Sequence, residues 1–466
     1  MVEDVGAEAV ADARRHAGSE RIPLGLLHLG AVGVYTTFAI WLHARSSFVR
    51  TTFGTFSDWT DYQTVTRSSP LSSRFWTGVK PAGYPLLVKL LGEGAGLHWA
   101  AVVLSILAWS ALALSVAMAF RTPWLATAAC AFVLALSLSQ RIQVWNDLAG
   151  SETLSVSLFV LAVAAGLLLT NARLPSQPSL RVVAWIVLVI SVAWWSFTRD
   201  SNVYLLVLVG VVAGGCAIRN RSRVLAVVCG AALVVSFVGA VASDAGDRWV
   251  VPYYNIVFNR VLTDHDLTAA WRDAGMPDTQ ALRSHIGEIA YHDDPALFGD
   301  PRLATFRRWV SLSGRSTYVV QLITKPSLGV EGPVGDLDAL LASPTEVWGH
   351  IGGHSYRGSP VDPIANSVFV PDMVPLAAWL ALVVVAAGWL LVRVRRSPTR
   401  GAAPLLVALM ALGVPHLWLV WVGDAHNVAR HAVTASVQIR VAGWLILLVA
   451  LDELLTGRRR DASVGS

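Results

Sequence analysis

The chain has 466 residues, 54% of them hydrophobic and 14% charged, with a mean hydropathy of +0.55. Soluble domains carry about a quarter charged residues, so this composition excludes an ordinary water-soluble enzyme. The net charge of +5 and the pI of about 9.3 come largely from arginines flanking apolar stretches, which ties them to topology and anionic lipid and excludes a nucleic-acid partner.

In chain order, Met1 to Glu20 is polar and has neither an apolar core nor a small-residue cleavage site, so residues 1–23 are expected to stay as a cytoplasmic tail. Apolar runs follow near 24–43, 99–120, 123–140, 152–171, 181–198, 203–218, 224–243, 374–392, 402–421 and 441–456. Each is long enough, as a helix, to cross the hydrocarbon core. None alternates as a barrel strand would. The reading is an all-α integral membrane protein of about ten transmembrane helices with a large, mainly helical extracytoplasmic loop. Helices one to seven occupy 24–243 and include a first outer loop, 44–98, with a juxtamembrane helix; the large loop is 244–373, helices eight to ten fill 374–456, and 457–466 is a second cytoplasmic tail.

Orientation follows from Arg14, Arg15, Arg21, Arg121, Arg173, Arg181, Arg219, Arg221, Arg223, Arg393, Arg395, Arg396, Arg400 and Arg458 to Arg460, which all fall on one side of a ten-span arrangement. That side is expected to be cytoplasmic, leaving 44–98, 141–151, 199–202, 244–373 and 422–440 outside. Lysine occurs only at positions 80, 89 and 325, an arginine bias that fits a GC-rich bacterial genome and hence a bacterial plasma membrane. Cys130, Cys216 and Cys229 lie within or at the ends of spans and read as packing residues, not a disulfide framework.

A membrane bundle keeps ionisable groups out of its spans unless it uses them. Here they gather in the outer connections. The first loop reads Phe53-Gly54-Thr55-Phe56-Ser57-Asp58-Trp59-Thr60-Asp61-Tyr62, and later Arg74-Phe75-Trp76-Thr77-Gly78-Val79-Lys80-Pro81-Ala82-Gly83-Tyr84-Pro85 leads into a short apolar helix over 86–91. Further along come Gly150-Ser151-Glu152 opening the fourth span, Thr198-Arg199-Asp200 at the end of the fifth, and a stretch from Asp424 to His431 before the last, with His426, Arg430 and, further on, Arg440. In 244–373, Asp264 and Asp300-Pro301 read as helix starts, Gly275-Met276-Pro277-Asp278 as a turn, and 326–365 as irregular.

The first loop resembles that of the C-type (GT-C) polytopic glycosyltransferases, which use polyprenyl-phosphate-linked sugars. Asp58 with Tyr62 matches the family's Asp-x-x-x-Tyr arrangement, and Lys80-Pro81-Ala82-Gly83-Tyr84-Pro85 matches its Arg-Pro-Pro-Gly-Tyr-Pro run, with Lys80 and Ala82 as departures. The order of the Ser151-Glu152, Arg199 and Asp424 to His431 elements is similar as well. The resemblance implies an inverting glycosyltransferase with its active site facing outside, a polyprenyl-phosphate sugar donor, and a cell-envelope glycan or glycolipid acceptor.

Such a transfer needs a carboxylate to take the acceptor hydroxyl's proton and cations to hold the departing phosphate. Asp58 is the expected base and Asp61 the second candidate. Tyr62, Lys80, Tyr84, Glu152, Arg199, Arg430 and His431 are the expected substrate-binding residues, arginine because its planar fork suits phosphate oxygens. The scheme requires no metal and no other cofactor, and His354, His426 and His431 lack ligand spacing.

Each residue also has a plainer reading. Asp58 and Asp61 fit a helix cap or solvated turn, Lys80 an interfacial anchor beside Trp76, Glu152 a first-turn acid favoured by the helix dipole, and Arg199 with Asp200 an interfacial ion pair. The Asp424 to Arg440 cluster fits a lid over lipid headgroups. At the level of the whole chain, a lipid-linked-sugar flippase or transporter and a non-catalytic envelope-assembly protein are the alternatives. A transporter predicts charged or broken helices at mid-membrane in two matched halves.

Overall fold

A computed structural model describes residues 21–45, 57–148, 150–171, 178–291, 294–342, 359–394 and 402–464. Most of the N-terminal tail, Phe53 to Phe56, Arg173, His354 and Arg395 to Arg400 lie outside the described residues. The described residues are mostly helical, joined by turns and short connections, with no strand among them. In chain order the helices are α1 (Arg21–Arg45), α2 (Ser57–Thr66), α3 (Ser73–Trp76), α4 (Gly83–Leu91), α5 (Ala95–Ala119), α6 (Pro123–Ser137), α7 (Gln140–Asn146), α8 (Ser151–Thr170), α9 (Pro178–Ser196), α10 (Asp200–Asn220) and α11 (Arg223–Ala245). The segment after them folds as α12 (Val250–Ile256), α13 (His265–Asp273), α14 (Gln280–Arg283), α15 (Pro295–Phe298), α16 (Ala304–Trp309), α17 (Arg315–Thr324), α18 (Gly332–Gly335) and α19 (Asp362–Phe369). The chain closes with α20 (Met373–Val394), α21 (Ala402–Gly423), α22 (Val428–His431) and α23 (Val433–Val464).

Among the described residues nine helices are long and apolar enough to cross a membrane, or ten if α6 and α7 form one span bent by 58°. The surface supports the same environment. Val182, Val189, Val234, Phe237, Val384 and Val385 all stand exposed on the outside of the bundle, an arrangement that water would penalise and lipid tails do not. The chain is an all-helical, multi-pass membrane protein.

Two spans differ from the sequence reading. The third bends at Leu138 and Ser139, where Asn366 of α19 takes hydrogen bonds from Ser139 Oγ (2.9 Å) and Gln140 N (3.1 Å) and so caps the start of α7. The last span begins at Val433 instead of 441, which puts Arg440 inside a helix and not in a connection. Its guanidinium is fully buried and donates to the carbonyls of Leu341, Phe369 and Val370 and to Ser436. A hydrophobicity window breaks at such an arginine; the helix continues because every N–H of the fork finds an acceptor.

Within the bundle α8 and α23 are innermost, with 72% of their apolar windows buried, against 17% for α1 and α11. Small residues set the close crossings: Gly413 of α21 sits on Ile439 of α23, Gly443 of α23 on Trp379 of α20, and Gly239 of α11 on Val203 of α10. The two sets of connections sort to opposite ends. At one end Asp452 of α23 accepts from the backbone N–H groups of Arg121 and Thr122, both at 3.0 Å, capping α6. At the other, residues from 57–94, 150–152, 198–200 and 424–432 come together.

The described parts of the 244–373 segment, 244–291, 294–342 and 359–373, pack on that second end. Their core is aromatic, built from Tyr253, Tyr254, Phe258, Trp271 and Phe306. Asp264 caps α13 through Asp266 N and Leu267 N, and Asp300 caps the turn over Pro301–Leu303, both as the sequence predicts. Residues 327–342 are helical, however, where the glycines and prolines predict irregular chain; they form short wide turns and α18, pinned by Trp418 Nε1 on the Gly329 carbonyl (2.7 Å) and Trp421 Nε1 on Asp336 Oδ2 (2.6 Å). The segment also satisfies the free carbonyls at the end of α21: Arg260 donates to Trp421 O (2.6 Å) and Asp424 O (2.9 Å), and Tyr318 to Val422 O (2.7 Å).

Candidate functional site

One unbroken series of ion pairs occupies the end of the bundle where these connections meet. Lys80 Nζ lies 3.3 Å from Asp61 Oδ2 and donates to Asp58 Oδ1 at 2.8 Å. The other oxygen of Asp58 accepts from Arg430 Nη2, and Arg430 Nε reaches Glu152 Oε1. The same Glu152 oxygen accepts from Arg199 Nη2 at 2.7 Å, while Arg199 Nη1 donates to the carbonyl (3.1 Å) and ring Nδ1 (3.2 Å) of His431. Because a guanidinium only donates, His431 Nδ1 carries the lone pair and Nε2 the proton, facing Asp424 Oδ2 at 3.7 Å. All seven charged or histidine positions expected from the sequence, Asp58, Asp61, Lys80, Glu152, Arg199, Arg430 and His431, are thus in one network.

Local chemistry explains why each group stands where it does. Asp58 is in the first turn of α2 and Glu152 in the first turn of α8, where free N–H groups favour an anion. A Cβ on Gly150 would lie 2.3 Å from Glu152 Oε2, so glycine there leaves room for the carboxylate to fold back over the start of its own helix. Gly83 does more. Its N–H donates to the Phe197 carbonyl at 2.7 Å, the Gly83 carbonyl accepts from Trp194 Nε1 at 2.8 Å, and a Cβ on Gly83 would sit 2.6 Å from Phe197 O and 2.9 Å from Thr198 N. This contact joins the chain just after Lys80 to the chain just before Arg199. Tyr62 and Tyr84 are buried beside the network with ring centroids 4.8 Å apart.

The network runs from a sealed interior to an accessible rim. The Glu152 side chain is 2% exposed and that of Arg430 6%, whereas Asp58 and Asp61 are each at 17%, Lys80 at 22% and His431 at 33%. Burial works against the charge on Asp58, but Lys80 and Arg430 outweigh it and hold its carboxyl well below the ordinary carboxylate range. Burial likewise opposes charge on Lys80 and Arg430, and the surrounding carboxylates reverse that, raising both. Burial, with the charges of Asp58 and Glu152, pushes Tyr62 up to about 12. Burial first, then Arg199 and Arg430, drive His431 well below its ordinary value, in keeping with a neutral ring that accepts from Arg199.

Two plainer readings give way to this geometry. Arg199 does not pair with Asp200; it serves Glu152, while Asp200 pairs with Arg248 at 3.2 Å. Lys80 is engaged by two carboxylates instead of standing free at an interface, and Trp76 Nε1 bonds the Pro70 carbonyl. Arg440 belongs to the scaffold. Sequence reasoning missed Arg260, Asn255 and the second buried polar cluster, in which His43 contacts Asp147 (2.8 Å) and Gln143 (2.6 Å). The polar run from Gln140 to Asp147 carried that signal. Asn255 Nδ2 donates to Asp424 Oδ1 at 3.1 Å and orients the carboxylate facing His431. No group of three or more His, Cys, Asp or Glu side chains among the described residues is arranged to hold a metal ion.

No family model, curated protein or solved structure matches the chain.

Proposed function

We propose that this protein is a membrane glycosyltransferase of the GT-C type, transferring a sugar with inversion from a polyprenyl-phosphate donor to a cell-envelope acceptor at the outer face of a bacterial plasma membrane. One observation supports it above the others: three cations and three carboxylates, drawn from four separate connections, meet at one end of a membrane bundle and include the segment that resembles the family's first loop. A structural ion pair needs two partners. A network this extended, with an accessible rim, is costly to bury and fits a site for a charged substrate.

In this reading the acceptor hydroxyl gives its proton to Asp58 as its oxygen attacks the anomeric carbon. The bond from that carbon to the phosphate oxygen breaks, and the electron pair leaves with the polyprenyl phosphate. Lys80, Arg430 and Arg199 hold the charge developing on that phosphate, as preorganised cations in a water-poor site do. Glu152 keeps both arginines in place, and His431 holds Arg199 from the far side. Tyr62 and Tyr84 wall the site.

The test is transfer from a polyprenyl-phosphate sugar by purified protein. Asp58→Asn keeps the shape but cannot take the proton, and is expected to lower turnover by about 10²- to 10⁴-fold. Asp61→Asn, which leaves both contacts to Asp58 intact, is expected to cost far less. Unchanged turnover in Asp58→Asn removes Asp58 from the mechanism; no turnover by wild type with any such donor removes the assignment.

A further inference from the structure

The cations expected to bind phosphate are already occupied. Lys80 and Arg430 hold the two oxygens of Asp58, one each, and Arg430 and Arg199 share one oxygen of Glu152. The carboxylate of Asp58 therefore sits between two cationic donors about as an anionic phosphate oxygen pair would. Its neighbour differs in kind. Glu152 is sealed behind the arginines, while Asp58 lies at the accessible rim.

We propose that Asp58 is an internal competitor for the donor phosphate: a polyprenyl phosphate binds by taking Lys80 and Arg430 from Asp58, and the displaced carboxylate becomes the free base. The inference rests on the glycosyl-transfer reading and adds an order of events to it. A carboxylate gripped by two cations is a poor proton acceptor, because the same contacts that lower its affinity for protons stabilise its charge. Transfer of those cations to the phosphate removes that restraint. The carboxylate then becomes basic only when a donor is present, and an empty site has no active base with which to deprotonate water. Glu152 keeps its hold on Arg430 Nε throughout, so the arginine can turn its Nη2 from Asp58 to the ligand without losing its own anchor. Arg199 has an Nε–H that is buried without a partner, a further donor at the same place.

The consequence is contrary to the usual effect of removing a catalytic group. Asp58→Asn is expected to bind undecaprenyl phosphate about ten times more tightly than wild type, because the hydrogen bonds from charged donors no longer have to be taken from a carboxylate. Asp58→Glu keeps the competitor and stays near wild type. Glu152→Gln releases the arginines from their anchor and binds more weakly. Titration calorimetry in detergent reads all four proteins, with phosphatidylglycerol and inorganic phosphate as parallel ligands to separate a headgroup or free-anion effect from the lipid phosphate. Should Asp58→Asn be too unstable for titration, the rise in its Tm on adding undecaprenyl phosphate is expected to exceed that of wild type. Binding by wild type with equal or weaker binding by Asp58→Asn overturns the competition and leaves glycosyl transfer standing. Binding by neither protein overturns both, and equal gains for phosphatidylglycerol replace the donor site with a headgroup site.

Discussion

At the scale of single residues, the network was legible as a set of residue types and not as a set of contacts. A carboxylate after the first span, a lysine before Gly83-Tyr84-Pro85, and an acid or arginine opening later spans are each visible in the sequence. That Glu152 bridges Arg199 and Arg430 is not, because those three positions are separated by tens to hundreds of residues and only the packing of α8, α10 and α22 brings them together. Glycine carries part of the missing information: Gly83 stands where a backbone must pass within touching distance of Phe197, a reason for the motif that no composition argument supplies. The paired state of Asp58 has a consequence in acid. Its folded pKa lies below the unfolded value near 3.8, so its contribution to stability is present above that value and is lost as pH falls toward the folded one. The Tm advantage of wild type over Asp58→Asn is therefore expected to be constant from about pH 7 to 5 and to shrink below about pH 4. A gap that stays constant down to pH 3 would show that the carboxylate is not held by Lys80 and Arg430 in solution.

Among the elements, the sequence placed most spans to within a few residues because lipid-facing helices are continuously apolar, as α9, α11 and α20 are. It failed where the conformation of an element depends on contacts with distant residues. Arg440 interrupts the apolar run and hides the start of α23, and the glycines and prolines of 327–342 read as irregular because the fold there depends on Trp418 and Trp421 from a distant helix. Arg440 is expected to matter for folding and not for chemistry. Its fork holds two other chain segments, one at Leu341 and one at Phe369 and Val370, and lies 3.9 Å over the Phe369 ring. Lysine keeps the charge but has a single nitrogen, so at least one carbonyl is left bare at about 1–3 kcal/mol each, with the stacking on Phe369 lost as well. Arg440→Lys should lower Tm in detergent clearly while the affinity for undecaprenyl phosphate in the folded fraction is unchanged. A stable Arg440→Lys protein that fails to bind the lipid would move Arg440 from the scaffold to the site.

For the whole molecule, the ion network and the arginine-rich connections have to lie on opposite sides of the bilayer. The network occupies the end shared by the starts of α8 and α10 and the connection before α23, and the contact of Arg121 and Thr122 with Asp452 marks the other end. Arg219, Arg221 and Arg223 fall between the end of α10 and the start of α11, and so at the Arg121 end as well. Cationic connections are retained on the cytoplasmic side during insertion, so that end is expected inside and the network outside. The arrangement suits the proposed chemistry, because a polyprenyl-phosphate donor presents its headgroup at the membrane surface. Arg302 and Arg221 are both exposed and lie on the two opposed sets of connections, which makes them suitable reporters. With Cys130, Cys216 and Cys229 replaced by alanine, Arg302→Cys is expected to react with an impermeant maleimide in intact cells, and Arg221→Cys only after the membrane is opened. The reverse pattern would put the network on the cytoplasmic side. All three carboxylates and all three cations would then face nucleotide-linked sugars instead of an envelope acceptor, and the donor assignment would have to be rebuilt from that side.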